Sequence, residues 1–335
     1  MRNLEAGSNL PDVRAEILNI YLARYCKVSG TQIAIFLLYY TKQKGILIAC
    51  SKMKRMKVFF FIGNKRSGTS QLVRLLNLHP QVFVSHESDV IWILYQFHND
   101  IPFASHPWDS LQGMKITLEA CGNIMKRNSS PQENFFALQR CVMEKDSAWL
   151  PPMQKREPLW IGDKKPFQLT DPFLIDFVLQ LFPDAHFIHL VRHPFDVAMS
   201  AERFNKTPHG DFWKNLTLEE KVARWAFHEK QVLDFKRSGR ARVLDVRYED
   251  LCQHPGSELV KIFQFLNMDI QEQLLRKARK DTRCVIRNRP YISHNSETLD
   301  IMQLYGYSPE SIKENQLSLF LMNVSSRLRR YLKEI

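Results

Sequence analysis

The sequence predicts an α/β fold in which a central parallel sheet is flanked by helices. Short apolar strand patterns alternate with helical patterns along the chain, which is typical of parallel sheets. The strand pattern at 58–62 is apolar on both faces, as expected for a central strand. It leads directly into a loop bounded by Gly63 and Gly68, and a helical pattern follows from about Ser70.

The other elements follow from the same patterns. A helix at 70–78 ends at His79, because the residue before a proline avoids the α region. Thr217 and Glu220 form a capping-box pattern, which predicts a helix that extends to about Arg237. Further strands are predicted at 82–84, 160–162, 186–191 and 242–246, and further helices at 89–97, 173–182, 195–204 and 256–266.

The predicted domain organisation is a single α/β domain at 56–335 with an N-terminal extension at 1–55. The extension is basic at its end, since residues 42–66 contain eight Lys or Arg and no Asp or Glu. We hypothesise that the native protein begins at Met53 or Met56, which peptides from residues 1–52 in native material would contradict. Residues 98–156 are poorly patterned and are interpreted as a helical insertion or cap.

Composition and charge bound the function classes. The chain has 335 residues, of which 44% are hydrophobic and 24% are charged, as in soluble globular proteins. Its formal net charge of +12 indicates acidic partners such as nucleotides or sulfated substrates. The six cysteines form no CxxC pair, so reduced thiols in the cytoplasm are expected. Membrane anchoring through the N-terminal segment is the alternative, although its apolar runs are shorter than the ~20 residues of a span.

The loop after the first strand, GNKRSGTS at 63–70, has the features of a phosphate-binding loop. Backbone N–H groups at the start of a helix bind anions. Nucleotide triphosphatases carry a lysine directly after the second glycine, and this chain has Thr69 there. The loop is therefore expected to bind a phosphate other than the β/γ pair of a triphosphate, through Lys65, Arg66, Ser67, Gly68, Thr69 and Ser70.

Polar residues follow the other predicted strands, at the sheet edge where ligands bind in open α/β folds. His86 and Glu87 follow the second strand, and Lys164 follows the third. Arg192 follows the fourth, and Ser200 lies two helical turns later, so the two are predicted to hold a second phosphate. This pattern suits group transfer from a doubly phosphorylated nucleotide. No aspartate ends an apolar strand in the Walker-B manner, which disfavours a magnesium-dependent kinase, and no metal site is predicted.

Three motifs in this order resemble the sulfotransferases that use 3′-phosphoadenosine 5′-phosphosulfate (PAPS). GNKRSGTS resembles the family's 5′-phosphosulfate loop, VRHPFDVAMS its 3′-phosphate motif, and RYEDLCQHP a signature after the last core strand. The resemblance covers about residues 57–270, and it is greatest to the tyrosylprotein sulfotransferases and their bacterial relatives. It implies a P-loop-like sheet and PAPS as co-substrate.

The resemblance also implies catalytic roles. Glu87 takes the position of the general base, and Lys164 that of the lysine that assists the leaving group, with Lys165 as its ambiguous neighbour. His86 is the rival base, because some sulfotransferases use histidine. His86 stands where the relatives have a second glutamate, and Asp89 where they have an arginine that helps with acidic peptides.

The expected reaction is transfer of a sulfuryl group from PAPS to an unidentified hydroxyl or amine acceptor. Because of the departures at His86 and Asp89, and because the family's lumenal disulfide pattern is not recognisable, tyrosine is not carried over as that acceptor. A small-molecule kinase is the alternative enzyme, and the missing lysine after Gly68 disfavours it. A non-catalytic basic protein that binds nucleic acid or a membrane is the third hypothesis, although no nucleic-acid partner is expected.

Overall fold

A five-stranded parallel sheet organises the part of the chain that the structure describes. The structure is a computed structural model, and it describes residues 56–107, 109, 112–145, 158–207, 213–282, 291–307 and 309. The strands are β1 (Lys57–Ile62), β2 (Val82–His86), β3 (Trp160–Lys164), β4 (His186–Val191) and β5 (Arg242–Arg247). Their spatial order is β2-β3-β1-β4-β5, which confirms the predicted α/β fold with a P-loop-like central parallel sheet.

Helices connect the strands. Between β1 and β3 they are α1 (Thr69–Leu76), α2 (Val90–His98), α3 (Gln112–Cys121) and α4 (Pro131–Glu144). Between β3 and β5 they are α5 (Pro172–Leu181), α6 (Pro194–Asn205) and α7 (Leu218–Arg237). After β5 come α8 (Tyr248–Gln253), α9 (Pro255–Phe265), α10 (Glu272–Asp281) and α11 (Ser296–Leu304). The predicted capping box of Thr217 and Glu220 is present at the start of α7.

Two strands are longer than their apolar patterns predict. β2 continues to His86 and β3 continues to Lys164, because the two backbones remain paired beyond the apolar residues. In this register His86 lies opposite Lys164. Two polar residues that the sequence assigns to loops are therefore held on the sheet edge by the backbone ladder.

The central strand separates two hydrophobic clusters. Phe60 and Ile62 face one cluster, where the Phe60 ring lies 5.8 Å from that of Phe187. Phe59 and Phe61 face the other cluster, together with α1 and α9. All four side chains are completely buried. This two-sided burial is what the apolar run of β1 predicts, and it fixes the position of the loop that follows.

The two segments outside the main pattern are described in part. Residues 1–55 lie outside the described residues, so the predicted extension and its boundary stay predictions. Within 98–156, the described part contains α3 and α4. None of the described helices is both long enough and apolar enough to cross a bilayer.

A disulfide joins the two helices of the 98–156 segment. Cys121 at the end of α3 is bonded to Cys141 in α4, with their Cα atoms 5.9 Å apart. Cys252 is also disulfide-bonded. The expectation of reduced thiols is therefore wrong for these residues. The sequence did not reveal the pairing, because the helix hairpin brings together two cysteines that are 20 residues apart.

An ion cluster centred on the buried His189 lies beneath the loop after β1. His189 of β4 contacts Glu229 of α7 at 3.0 Å and Asp245 of β5 at 2.9 Å. Asn64 of the loop donates a hydrogen bond to Glu229 at 2.7 Å, and a side chain on Gly63 would lie 2.9 Å from the His189 ring. Burial lowers the pKa of His189, but the two carboxylates outweigh this effect and raise it to about 9.

We predict that His189 makes the stability of the fold pH-dependent. Because its pKa is raised in the folded state, its contribution is complete below about pH 6.5 and is lost as the pH rises through about 9. The free energy of unfolding, measured with urea, should fall by about 3 kcal/mol over this interval. The His189→Gln variant should lack this decrease, and equal slopes for the two proteins would contradict the prediction.

Candidate active site

The loop between β1 and α1 presents the N-terminus of α1 at the sheet edge. Gly63 and Gly68 both have positive φ angles, 117° and 97°. Gly68 is the N-cap residue of α1, and no side chain caps this helix end. The ring of Tyr248 packs against Gly68 so closely that a Cβ would overlap with it. The glycines therefore allow the turn and its close packing, and the first N–H groups of α1 are available to bind an anion.

Arg66, Arg192 and Ser200 lie together beside this loop. Arg66 Nε donates to Ser200 Oγ at 3.3 Å, and Arg192 Nη1 donates to the carbonyl oxygen of Arg66 at 3.2 Å. The Arg192 guanidinium stacks on Tyr248 at 4.1 Å from the ring centre. Burial and the charge of Arg192 lower the pKa of Arg66. Two crowded guanidinium groups favour an anion that neutralises them both.

This arrangement differs from the predicted one in a detail. The sequence assigns Arg66 to the loop phosphate, and Arg192 with Ser200 to a separate phosphate. In the structure Arg66 donates a hydrogen bond to Ser200, and Arg192 donates one to the backbone carbonyl of Arg66. The residues of the two predicted anion sites are therefore in direct contact through Arg66.

Glu87 and Lys164 form an ion pair at the ends of β2 and β3. The Lys164 ammonium contacts the Glu87 carboxylate and also donates to Ser70 Oγ, at 3.3 Å. Lys165 Nζ lies 3.2 Å from Glu87. Burial raises the pKa of Glu87, but the ammonium groups of Lys164 and Lys165 outweigh it and hold this pKa well below its usual value. Glu87 is thus ionised, which is the state in which a carboxyl group can accept a proton.

The two neighbouring lysines have different surroundings. Lys165 is buried and contacts Asp89 at 3.0 Å and Asp109 at 2.5 Å, in addition to Glu87. Burial lowers the pKa of Lys165, and the three carboxylates raise it well above its usual value. Lys164 is the one that reaches Ser70 on the phosphate loop. Lys164 therefore contacts the phosphate loop, and its assignment as the catalytic lysine stays a prediction.

Asp89 lies inside the protein, where it contacts Lys165. It accepts hydrogen bonds from Lys165 at 3.0 Å and from Gln168 at 2.6 Å, and it is buried. Burial raises its pKa to about 6, although Lys165 opposes this shift. Asp89 is thus a partner of the buried lysine, and it presents no charge to an acceptor.

His86 is buried at the end of β2 and contacts the phosphate loop. Its Nε2 atom lies 2.8 Å from Ser70 Oγ. Burial and the nearby charge of Lys164 lower the pKa of His86 to about 3, so the imidazole is neutral. The structure brings both candidate bases to one place, but Glu87 carries the negative charge and His86 is engaged with Ser70.

Two residues of the predicted phosphate loop point elsewhere. Lys65 Nζ contacts Asp109 at 2.8 Å and lies 3.9 Å from the centre of the Phe167 ring. Burial lowers the pKa of Lys65, and Asp109 opposes this effect. Ser67 is completely buried. The described geometry therefore leaves Arg66, Gly68, Thr69 and Ser70 as the residues nearest to an anion at α1.

Sequence reasoning missed several residues that shape this site. Asp109 joins Lys65 to Lys165, and it lies in the unpatterned 98–156 segment, where no signal points to it. Phe204 stacks against Arg66 at 4.6 Å, and Tyr248 stacks against Arg192. Tyr248 is the second residue of the RYEDLCQHP motif, so its position is visible in the sequence, but its stacking against Arg192 is not.

Curated sulfotransferases are similar to this chain in sequence. Protein-tyrosine sulfotransferase A of Caenorhabditis elegans is 25% identical over 227 residues, which cover 66% of this chain and 53% of that protein. The omega-hydroxy-beta-dihydromenaquinone-9 sulfotransferase Stf3 of Mycobacterium tuberculosis is 32% identical over 117 residues, which cover 33% of this chain and 30% of that protein. The chain thus spans about half the length, or less, of these curated relatives.

The fold also matches solved structures. The sulfotransferase domain of the Synechococcus PCC 7002 olefin synthase superposes with a TM-score of 0.51 at 21% identity, covering 76% of this chain and 96% of that one. A family model described as "Sulfotransferase family" matches residues 59–272, which is more than half of the chain and includes β2 to β5, most of β1 and the site described above. The chain therefore belongs to the sulfotransferase family.

Proposed function

We propose that the protein transfers a sulfuryl group from PAPS to a hydroxyl-bearing acceptor. The observation that carries this proposal is the position of Lys164, whose ammonium contacts both Glu87 and Ser70. Glu87, the proton acceptor, and Ser70, which belongs to the phosphate loop, therefore both contact the same ammonium group. In the reaction, Glu87 takes the acceptor proton while the acceptor oxygen bonds to sulfur.

Charge develops on the leaving group in the same step. The bond from sulfur to the bridging oxygen of the phosphosulfate breaks, and adenosine 3′,5′-bisphosphate leaves. Lys164 is the cation positioned to stabilise the negative charge that develops on that oxygen. The N–H groups of α1 with Arg66 are assigned to the 5′-phosphate, and Arg192 with Ser200 to the 3′-phosphate. The crowded guanidinium groups of Arg66 and Arg192 fit a doubly phosphorylated nucleotide, because it carries two anions.

The names of the relatives support a hydroxyl acceptor over an amine. One is named for protein tyrosine and another for an omega-hydroxy menaquinone, so both act on hydroxyl groups. Acidic peptides are not proposed, since Asp89 is buried against Lys165 and supplies no cation. A kinase activity is disfavoured by Thr69, which stands where triphosphate-binding loops carry lysine.

The cellular location stays a prediction. The cytoplasm is expected from the sequence, with anchoring to a membrane through residues 1–55 as the alternative. The bond between Cys121 and Cys141 counts against the cytoplasm, because disulfides form mainly in oxidising compartments. Fractionation of native cells, with unreduced protein probed for free thiols, distinguishes a cytoplasmic from a membrane-anchored protein.

We predict that adenosine 3′,5′-bisphosphate stabilises the protein. A ligand that binds only the folded state at 100 times its Kd contributes about 2.7 kcal/mol, which raises the melting temperature of a chain of this size by roughly 4 °C. Arg66→Ala or Arg192→Ala should abolish most of this shift, as measured by thermal unfolding. Arg240→Ala is the matched control, because Arg240 is exposed and pairs with Asp176 outside the site. Absence of a shift at millimolar ligand would overturn the assignment.

We predict that Glu87→Gln separates binding from catalysis. The variant retains the shape of the side chain but cannot accept the proton, so turnover should fall about 100- to 10,000-fold. Binding of adenosine 3′,5′-bisphosphate should persist, as measured by calorimetry. Full activity with labelled PAPS and an identified acceptor would show that Glu87 is not the base.

A further inference from the structure

We propose that His86 is a positioning residue that acts through Ser70 and directs the Ser70 hydroxyl hydrogen towards the 5′-phosphate of the bound nucleotide. The inference rests on the proposed function, because that function supplies the phosphate. Its geometric basis is the contact of 2.8 Å between His86 Nε2 and Ser70 Oγ. Ser70 is exposed at the second position of α1, whereas His86 is buried behind it.

The hydrogen-bonding capacity of Ser70 limits the arrangement. A serine hydroxyl has one hydrogen to donate and two lone pairs that accept. Lys164 Nζ donates to Ser70 Oγ at 3.3 Å, and an ammonium group has no lone pair to offer in return. If His86 Nε2 also donates, both lone pairs are filled. The hydroxyl hydrogen must then point away from His86 and Lys164, to the exposed side where the anion binds.

The opposite tautomer would have the opposite effect. If His86 Nε2 carried no hydrogen, it would accept the hydroxyl hydrogen of Ser70 and direct it inwards. Ser70 would then present a lone pair to the phosphate, which is repulsive. The direction of one hydrogen therefore decides whether Ser70 binds the phosphate or opposes it.

The burial of the other ring nitrogen favours the donating tautomer. His86 Nδ1 is buried and has no hydrogen-bond partner within the described part of the chain. Because the depressed pKa keeps the ring neutral, only one nitrogen carries a hydrogen. A buried N–H without an acceptor is rarer in proteins than an unpaired acceptor atom. The hydrogen is therefore assigned to Nε2, where it has Ser70 as its acceptor.

A matched pair of substitutions tests this role. In His86→Gln the amide nitrogen replaces Nε2 as a donor, whereas His86→Leu is apolar and removes the donor without adding charge. We expect His86→Leu to weaken binding of adenosine 3′,5′-bisphosphate about tenfold, which corresponds to one hydrogen bond to a charged group. Binding of adenosine 3′-monophosphate, which lacks the 5′-phosphate, should not change. His86→Gln should restore the affinity for the bisphosphate, as measured by calorimetry.

A double-mutant cycle shows whether the effect passes through Ser70. In the Ser70→Ala background, His86→Leu should cause no further loss of bisphosphate affinity, because the hydroxyl that it directs is absent. An equal loss in both backgrounds, or for both nucleotides, would indicate a general structural effect and overturn the proposal.

Three further outcomes separate this inference from its alternatives. If His86→Leu binds the bisphosphate normally but loses turnover, His86 is the base and not a positioning residue. If the unsubstituted protein binds neither nucleotide, the proposed function itself fails, and the inference fails with it. Normal binding by the unsubstituted protein together with normal binding by His86→Leu overturns the inference alone.

Discussion

The site depends on the contacts that the buried ammonium of Lys164 makes with two other parts of the chain. Lys164 ends β3, and it meets Glu87 after β2 and Ser70 at the start of α1. Burial lowers the pKa of Lys164, and the carboxylate of Glu87 opposes this effect. A buried charge is tolerated only when it is paired, so the three elements hold their relative positions through this cation. The proposed chemistry needs the same proximity.

The backbone around this cation is strained where the candidate functional groups lie. Arg66, Glu87 and Asp89 have φ angles of 67°, 54° and 52°, in the left-handed region that non-glycine residues rarely adopt. Such conformations persist when the surroundings determine them strongly. Here Lys165 binds both Glu87 and Asp89, and Arg66 is held by Ser200 and by stacking on Phe204. The ion pairs thus stabilise a conformation that a regular strand end would not give.

The segment between α2 and β3 contributes to the site as well as covering the core. Asp109 bridges Lys65 of the phosphate loop and Lys165 beyond β3. Gly113 of α3 packs so closely on the carbonyl oxygen of Glu87 that a larger residue would collide with it. His106 adds a contact with Asp171 at 2.8 Å. This segment therefore supports the turn that carries Glu87, which links the least patterned part of the sequence to the proposed catalytic centre.

The sequence by itself determined the sheet and the edge at which the functional groups meet. Apolar runs and glycines are local signals, and parallel strands place their carboxyl ends together, so Arg66, Glu87, Lys164 and Arg192 were predictable as neighbours. Only the tertiary structure decided which lysine reaches Ser70, that Lys65 contacts Asp109, that His86 binds Ser70, and that Cys121 is bonded to Cys141. These contacts join residues 16 to 94 positions apart, which no local pattern encodes.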